Sequence, residues 1–192
     1  MSVYFIGCIH LGHKWMAIHR GFQDEFYHDE HIIEQWNKVI NKKDLVWILG
    51  DVTMETPEHY PQLGRLNGRK KVCLGNHDRP EDVRELLKYV ETVAGVVDYK
   101  GYVLSHIPVH PNEMSFCRGN IHAHIHENEL EECIVSDRYG DTGLSSATLA
   151  KYFNVDAQRI GYTPMSMDEI TEVMGQKDWV KPQKIKATWE LK

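Results

Sequence analysis

The sequence predicts an α/β fold built around a largely parallel or mixed β-sheet. Short apolar runs typical of buried strands alternate with helical patterns in the first half of the chain. These runs end in clusters of polar residues, and ligands of such sheets bind at the carboxyl ends of the strands. The chain also has twelve histidines in 192 residues, and histidine is the commonest metal-ligand side chain. We therefore expect a metal centre at the strand ends of an α/β sheet.

Hydrophobic periodicity places the elements of the first half. Residues 3–8 are rich in β-branched and aromatic side chains, which predicts a buried strand. Apolar residues recur at three- and four-residue spacing over 27–41 and predict a helix. The apolar run at 45–49 predicts a second strand and residues 70–74 a third, with a helix near 57–66 between them.

The second half is predicted to be richer in strands. A polar helix is expected at 81–89. Strands are then expected at residues 93–99, 101–104, around 133–135 and at 152–155. Ser166 and Glu169 form a capping-box pattern, which predicts the start of a last helix.

Length and charge exclude several classes of protein. The 192 residues suit one domain spanning 1–192, since no linker divides the chain. The apolar stretches fall far short of the ~20 residues of a membrane span. The N-terminus lacks a signal-peptide pattern, so we expect a cytoplasmic protein with no membrane partner. A net charge of −6 argues against a broad nucleic-acid-binding surface, which needs clustered Lys and Arg.

A set of polar residues at the predicted strand ends suits metal binding. Its members are His10, Asp51, Asn76, His106, His124 and His126. An aspartate can bridge two ions, and a mixed nitrogen and oxygen set suits Mn, Fe, Zn or Ni better than Ca. Two such ions about 3.5–4 Å apart would clamp a phosphate and lower the pKa of a bridging water.

Five short motifs occur in a fixed order along the chain. They read Cys8-Ile9-His10, Gly50-Asp51, Gly75-Asn76-His77-Asp78, Ser105-His106-Ile107-Pro108 and Ala123-His124-Ile125-His126. This order resembles the calcineurin-like metallophosphoesterase family, and residues 152–170 are similar to the way small bacterial and bacteriophage members end. The resemblance implies a four-layer α-β-β-α sandwich of two mixed sheets. It also implies a dinuclear metal centre that hydrolyses a phosphomonoester or phosphodiester by attack of a metal-bridging hydroxide.

The resemblance further implies roles for individual residues. A first ion would be held by position 8, His10, Asp51 and His126. A second ion would be held by Asp51, Asn76, His106 and His124, with Asp51 as the bridge. His77 would act as general acid near the leaving-group oxygen, oriented by Asp78.

Other polar residues are predicted to lie around this centre. Asn76, His13 and Arg20 are candidates to contact the substrate phosphate, although an exposed ion pair is the competing interpretation for Arg20. The isolated histidines are expected on the solvated surface, among them His28, His31 and His59.

Cys8 stands where the family has its first aspartate. A thiolate ligates Zn and Fe well, so one interpretation is a working site with altered metal preference. Another is a small buried residue that ligates nothing and weakens the first site, and a third is an engineered or drifted position in an otherwise standard enzyme. The alternative function is therefore a weakened or inactive member that serves as a binding or scaffold module. The substrate could be a nucleotide, a nucleic-acid end or a phosphoprotein.

Overall fold

The computed structural model contains two β-sheets and flanking helices. It describes residues 1–114, 116–131, 133–137 and 140–175. The strands are β1 (Val3–Ile6), β2 (Leu45–Leu49), β3 (Arg69–Cys73), β4 (Thr92–Ala94), β5 (Val97–Tyr99), β6 (Tyr102–Leu104), β7 (Gly119–His122), β8 (Cys133–Asp137), β9 (Gly140–Leu144), β10 (Tyr152–Asn154) and β11 (Met165–Ser166). The helices are α1 (Lys14–His19), α2 (Glu25–Val39), α3 (Val83–Leu86), α4 (Ser146–Leu149) and α5 (Met167–Val173), with 3-10 helices at Pro57–Arg65, Pro80–Asp82 and Pro111–Met114.

Both large sheets are mixed. The first has the order β11-β1-β2-β3-β4, with β1 to β4 parallel and β11 antiparallel to β1. The second has the order β10-β7-β6-β5, with β5 antiparallel to β6. A separate antiparallel pair is formed by β8 and β9. The predicted α/β sandwich of two mixed sheets is confirmed.

The centre of the first sheet is buried on both faces, which explains the uninterrupted apolar sequences of β1 and β2. Along β2, Val46 and Ile48 belong to the core beneath the helices, together with Ile32 and Trp36 of α2. Trp47 and Leu49 point the other way, into a core shared with the second sheet. This core brings the ends of β1, β2 and β3 close to those of β6 and β7.

The long helix α2 begins at its cap Asp24, whose side chain accepts a hydrogen bond from Tyr27 N. It has 15 residues and covers the outer face of the first sheet. Within the described part of the chain, no helix combines the length and the apolar character needed to cross a bilayer.

Several predicted elements need correction. The strand expected at 93–99 is two strands, because the chain leaves the first sheet after β4, passes through exposed Gly95 and Val96, and enters the second sheet at β5. The helix expected near 57–66 is a 3-10 helix with Pro61 inside it, and proline removes a backbone donor. The helix α1 was not predicted, since six residues are too few to show a period. The capping box of Ser166 and Glu169 is present at α5.

Candidate metal centre

The predicted ligands lie at one end of the two packed sheets. Cys8 and His10 follow β1, Asp51 follows β2, and Asn76 follows β3. On the second sheet, the ligands that follow β6 and β7 are His106, His124 and His126. The backbone of His10 donates to Asp51 O, 3.0 Å away, so the loops after β1 and β2 are joined directly.

One group of ligands converges on the Nε2 atom of His106. This nitrogen lies 3.0 Å from Asn76 Oδ1, 3.1 Å from His124 Nδ1 and 3.3 Å from Asp51 Oδ2. The other nitrogen of His106, Nδ1, lies 2.8 Å from Leu49 O and donates to it, so Nε2 is the nitrogen that faces the group. Two atoms each bound about 2.1 Å from one ion at right angles are about 3.0 Å apart, which matches these separations. We call these four residues the second half-site.

Asp51 connects this group to a second one. Its Oδ1 accepts a hydrogen bond from His77 N at 3.0 Å. Its Oδ2 lies 3.3 Å from His106 Nε2 and 3.7 Å from His10 Nε2. Burial opposes ionisation of Asp51, but contact with His106 and the hydrogen bond from His77 N lower its pKa to about 2. A permanently ionised carboxylate between two imidazoles is suited to bridge two cations.

The other group, the first half-site, contains Cys8, His10 and His126 together with Asp51. Ligand atoms of the first three lie within 4.8 Å of one another. The rings of His10 and His126 are stacked, with centroids 5.5 Å apart. Cys8 Sγ accepts a hydrogen bond from His124 N, 3.2 Å away, and therefore also touches the second half-site.

Burial sets the charge of the first half-site. It raises the pKa of the Cys8 thiol well above its usual value, and the neighbouring carboxylates of Asp156 and Asp51 raise it further. Burial lowers the pKa of His10 well below its usual value, although Asp51 opposes this. In the absence of a bound cation, Cys8 is a thiol and His10 is a neutral imidazole.

Unpaired buried atoms show that this donor set fits metal ions. Within the part of the chain that the structure describes, five such atoms at the centre have no hydrogen-bond partner: both ring nitrogens of His10, Nδ1 of His77, Nδ1 of His126 and Oδ2 of Asp156. Folded proteins leave few buried polar atoms unsatisfied, and an ion is one of the recognised reasons. Imidazole nitrogens and carboxylate oxygens are ligands for transition metals.

The backbone of the centre is strained. The residues with φ in the left-handed region include Cys8 at 50°, His10 at 47°, Asp51 at 53°, His124 at 70° and His126 at 52°. This conformation costs roughly 1–2 kcal/mol per residue for side chains with a Cβ and concentrates at functional sites. Ala123 is not among the residues with positive φ. Its Cβ fills the space that a Cβ on Gly7 would need, 2.4 Å away.

Asp78 and His77 do not interact as predicted. The Asp78 carboxylate accepts hydrogen bonds from the backbone N–H groups of Asp51, Val52 and Gly75 at 2.8, 2.9 and 2.8 Å. It therefore ties the loop after β2 to the loop after β3. The carboxylate that faces His77 is that of Glu55, whose Oε1 lies 3.6 Å from His77 Nδ1. The orientation of His77 by Asp78 is corrected accordingly.

The predicted substrate residues separate into two kinds. Asn76 is exposed, and half-buried His13 has its ring centroid 5.5 Å from that of His10, so both border the centre. The side chain of Arg20 has no exposed surface, which excludes an exposed ion pair and argues against direct contact with a substrate phosphate. Its guanidinium donates to Cys8 O at 2.9 Å and lies 3.1 Å from His28 Nε2.

Sequence reasoning missed the residues that support the first half-site. His28 is fully buried and not on the solvated surface, because Arg20 and Asp29 flank its two ring nitrogens. His31 and His59, also expected on the surface, are half-buried. Asp156 is also fully buried beside this site. It follows the apolar strand β10, and the same rule of polar residues at strand ends would have found it.

The chain has relatives of unassigned function. The Gene 66 protein of Mycobacterium phage D29 is 30% identical over 177 residues, covering 76% of this chain and 88% of that protein. An uncharacterised protein of Methanocaldococcus jannaschii is 28% identical over 181 residues, covering 90% of this chain and 91% of that protein. No family model matches the chain.

Solved structures support the fold. A protein of unknown function from Aquifex aeolicus matches with a TM-score of 0.64 at 23% identity, over 90% of this chain and 98% of that chain. A metallophosphoesterase from Sphaerobacter thermophilus has a TM-score of 0.37 at 10% identity, over 81% of this chain and 75% of that chain. The TM-score of this second match is too low to indicate a shared fold.

Proposed function

We propose that this chain, which belongs to the family of the Gene 66 protein of Mycobacterium phage D29, is a phosphoester hydrolase with a dinuclear metal centre. The observation that carries the proposal is the convergence of Asn76 Oδ1, His124 Nδ1 and Asp51 Oδ2 within 3.3 Å of His106 Nε2. The ordered motifs, which resemble those of calcineurin-like metallophosphoesterases, support the same class of reaction.

Each part of the chemistry has residues to perform it. Two divalent ions held here would supply positive charge for a phosphate and lower the pKa of a water. Asp51 is kept in its bridging position by the N–H of His77 and by the loop that Asp78 holds. His77 is 28% exposed, has its ring centroid 5.7 Å from that of His10, and faces Glu55. We assign it the delivery of a proton to the leaving-group oxygen.

A neighbouring cavity suits the organic part of an ester. It has a volume of about 420 Å³ and is bordered by the ligands Asn76 and His106. Its other walls include Leu74, Val96 and Ile107, and none of the described residues that line it is Asp, Glu, Lys or Arg. An uncharged group linked to phosphate would lie here, with the phosphate at the ligands. This arrangement accommodates either a phosphomonoester or a phosphodiester.

The proposal is tested by measuring both the number of metal ions bound per chain and the rate of phosphoester hydrolysis. The purified protein is expected to bind about two Mn²⁺ ions per chain and to hydrolyse bis-p-nitrophenyl phosphate or p-nitrophenyl phosphate. Fe²⁺, Zn²⁺ and Ni²⁺ should be tried in parallel, since the ligand set does not select among them. Absence of hydrolysis with all of these ions, in a protein shown to be folded and loaded, would refute the proposal. A binding or scaffold module would hold at most one tightly bound ion and turn over neither substrate.

A further inference from the structure

The first half-site has an unusual donor set for a hydrolytic centre. Apart from Asp51, which it shares, its predicted ligands are a thiol and two imidazoles. Position 8 supplies sulfur where the family pattern supplies a carboxylate. A hard cation such as Mn²⁺ prefers carboxylate oxygen to sulfur as a ligand, so the surroundings of Cys8 decide whether this half-site can hold such an ion.

A fully buried carboxylate lies beside Cys8. Asp156 has no exposed surface, and a bridge pairs it with Gly7, the residue before Cys8. Gly7 N donates to Val155 O and Ala157 N donates to Gly7 O, both at 2.9 Å. The two strand ends therefore run side by side and present positions 8 and 156 at the same place.

The two oxygens of Asp156 have different surroundings. Oδ1 accepts a hydrogen bond from Gln158 N at 2.8 Å. Oδ2 lies 2.9 Å from His126 Nδ1, but the two groups are not oriented for a hydrogen bond, and neither atom has a hydrogen-bond partner among the described residues. A nitrogen and an oxygen bound to one ion at about 2.1 Å and at right angles are about 3.0 Å apart. Their separation of 2.9 Å suits two ligands of a single cation as well as an ion pair.

The nearby arginine does not satisfy Oδ2. Arg20 Nη2 is 3.5 Å from Oδ2, whereas its hydrogen bond goes to Cys8 O at 2.9 Å. Arg20 Nη1 lies against His28 at 3.1 Å. An ion pair with Arg20 therefore accounts for part of the charge of Asp156 but leaves this buried oxygen without a hydrogen bond among the described residues, which is costly.

We propose that Asp156 is a ligand of the first half-site and supplies there the carboxylate that position 8 lacks. With His10, His126 and the shared Asp51, it gives this half-site nitrogen and oxygen ligands independently of what Cys8 does. The inference rests on the proposed dinuclear centre and adds a ligand that the ordered motifs do not contain.

The experiment counts Mn²⁺ ions by calorimetric titration and by elemental analysis after gel filtration. Wild-type protein is expected to bind two ions and Asp156→Asn one, at the same Mn²⁺ concentration. The double variant Cys8→Asp/Asp156→Asn, which returns a carboxylate to position 8, is expected to bind two again. Asp44→Asn is the matched control, because Asp44 is a buried carboxylate that binds the backbone of Ser2 and Asn41.

The outcomes separate this inference from the proposed function. Two ions in Asp156→Asn would overturn the inference, since a counterion of Arg20 or a residue that only orients His126 would leave the count unchanged. If Asp156→Asn does not fold, the double variant decides: two ions support the inference and one ion overturns it. If the wild type binds no ion, the dinuclear centre itself is wrong.

Discussion

The two half-sites differ in how their ligands are held. In the second, His106 Nδ1 is fixed by Leu49 O and the other ligand atoms lie within 3.3 Å of His106 Nε2. In the first, both nitrogens of His10 lack a hydrogen-bond partner among the described residues, and His10 Nε2 is 3.7 Å from Asp51. The second half-site is therefore preorganised, whereas the first depends more on a bound cation to bring its ligands together.

This difference follows from where the residues sit in the fold. The second half-site draws on β2, β3, β6 and β7, which are central strands of the two sheets. The first half-site also draws on the central strands β1, β2 and β7, but its proposed carboxylate ligand Asp156 lies on the chain that follows the edge strand β10. The backbone of Cys8 donates to Gly50 O at the end of β2 and accepts from buried Arg20, whose guanidinium in turn contacts His28. Ligands on central strands are fixed by the packing of both sheets.

The largest effect is expected for Asp51→Asn, which removes the carboxylate shared by both half-sites. Phosphoesterase turnover should fall by about 10³-fold, the scale on which loss of an electrostatic stabiliser acts. Elemental analysis should show fewer than two Mn²⁺ ions per chain. Asp44→Asn should change neither quantity. Normal turnover in Asp51→Asn would contradict the bridging role.

Two substitutions, one in each half-site, compare how much each half-site contributes to turnover. His106→Ala should lower turnover by about 10²-fold or more. Cys8→Ser should lower it by only about tenfold, because nitrogen and oxygen ligands remain. Steady-state rates at saturating Mn²⁺ test the order. A larger loss in Cys8→Ser than in His106→Ala would show that the sulfur is indispensable and would reverse the comparison.

Asp78→Asn tests what holds the second half-site. This buried carboxylate accepts three backbone hydrogen bonds, and the amide cannot replace them all. The free energy of unfolding should fall by about 3 kcal/mol, measured by urea denaturation of the metal-free protein. The number of bound Mn²⁺ ions should stay at the wild-type value. Unchanged stability would mean that other contacts hold these loops.

The smallest effect concerns pH and the support behind Cys8. Burial lowers the pKa of His28, and the charge of Arg20 lowers it further, against the opposing contact with Asp29. The unfolded chain therefore takes up the proton first as pH falls below about 6.5, so the stability that neutral His28 contributes is present above that pH and lost below it.

His28→Gln removes this titration. Between about pH 7.5 and 5.5, the melting temperature of the metal-free wild type should fall more than that of His28→Gln, by about 2–4 °C for each kcal/mol involved. His31→Gln is the control, because His31 is only half-buried on the same helix. Equal slopes for wild type and His28→Gln would show that His28 does not contribute.

Part of this molecule was predictable from local pattern. The strands and the ligands that follow them were found because buried strands are apolar and ligands lie where they end, as at Asp51 and His106. The division between β4 and β5 was missed because both strands and the exposed Gly95 between them read as one extended run. The burial of Arg20 and His28 could not be foreseen, since it depends on contacts between α1, α2 and the end of β1.

The pairing of Gly7 with Asp156 has a consequence for chain folding. An ion held by residues near both positions would close a loop that contains most of the described chain. Closing such a long loop in the unfolded chain costs conformational entropy. Metal binding there would be coupled to folding. During synthesis, the second half-site has all its ligands once residue 124 has emerged, whereas the first must wait for residue 156. Removal of the metal by a chelator should then expose the segment after β10 to protease before the central strands become accessible. Limited proteolysis would reveal this order.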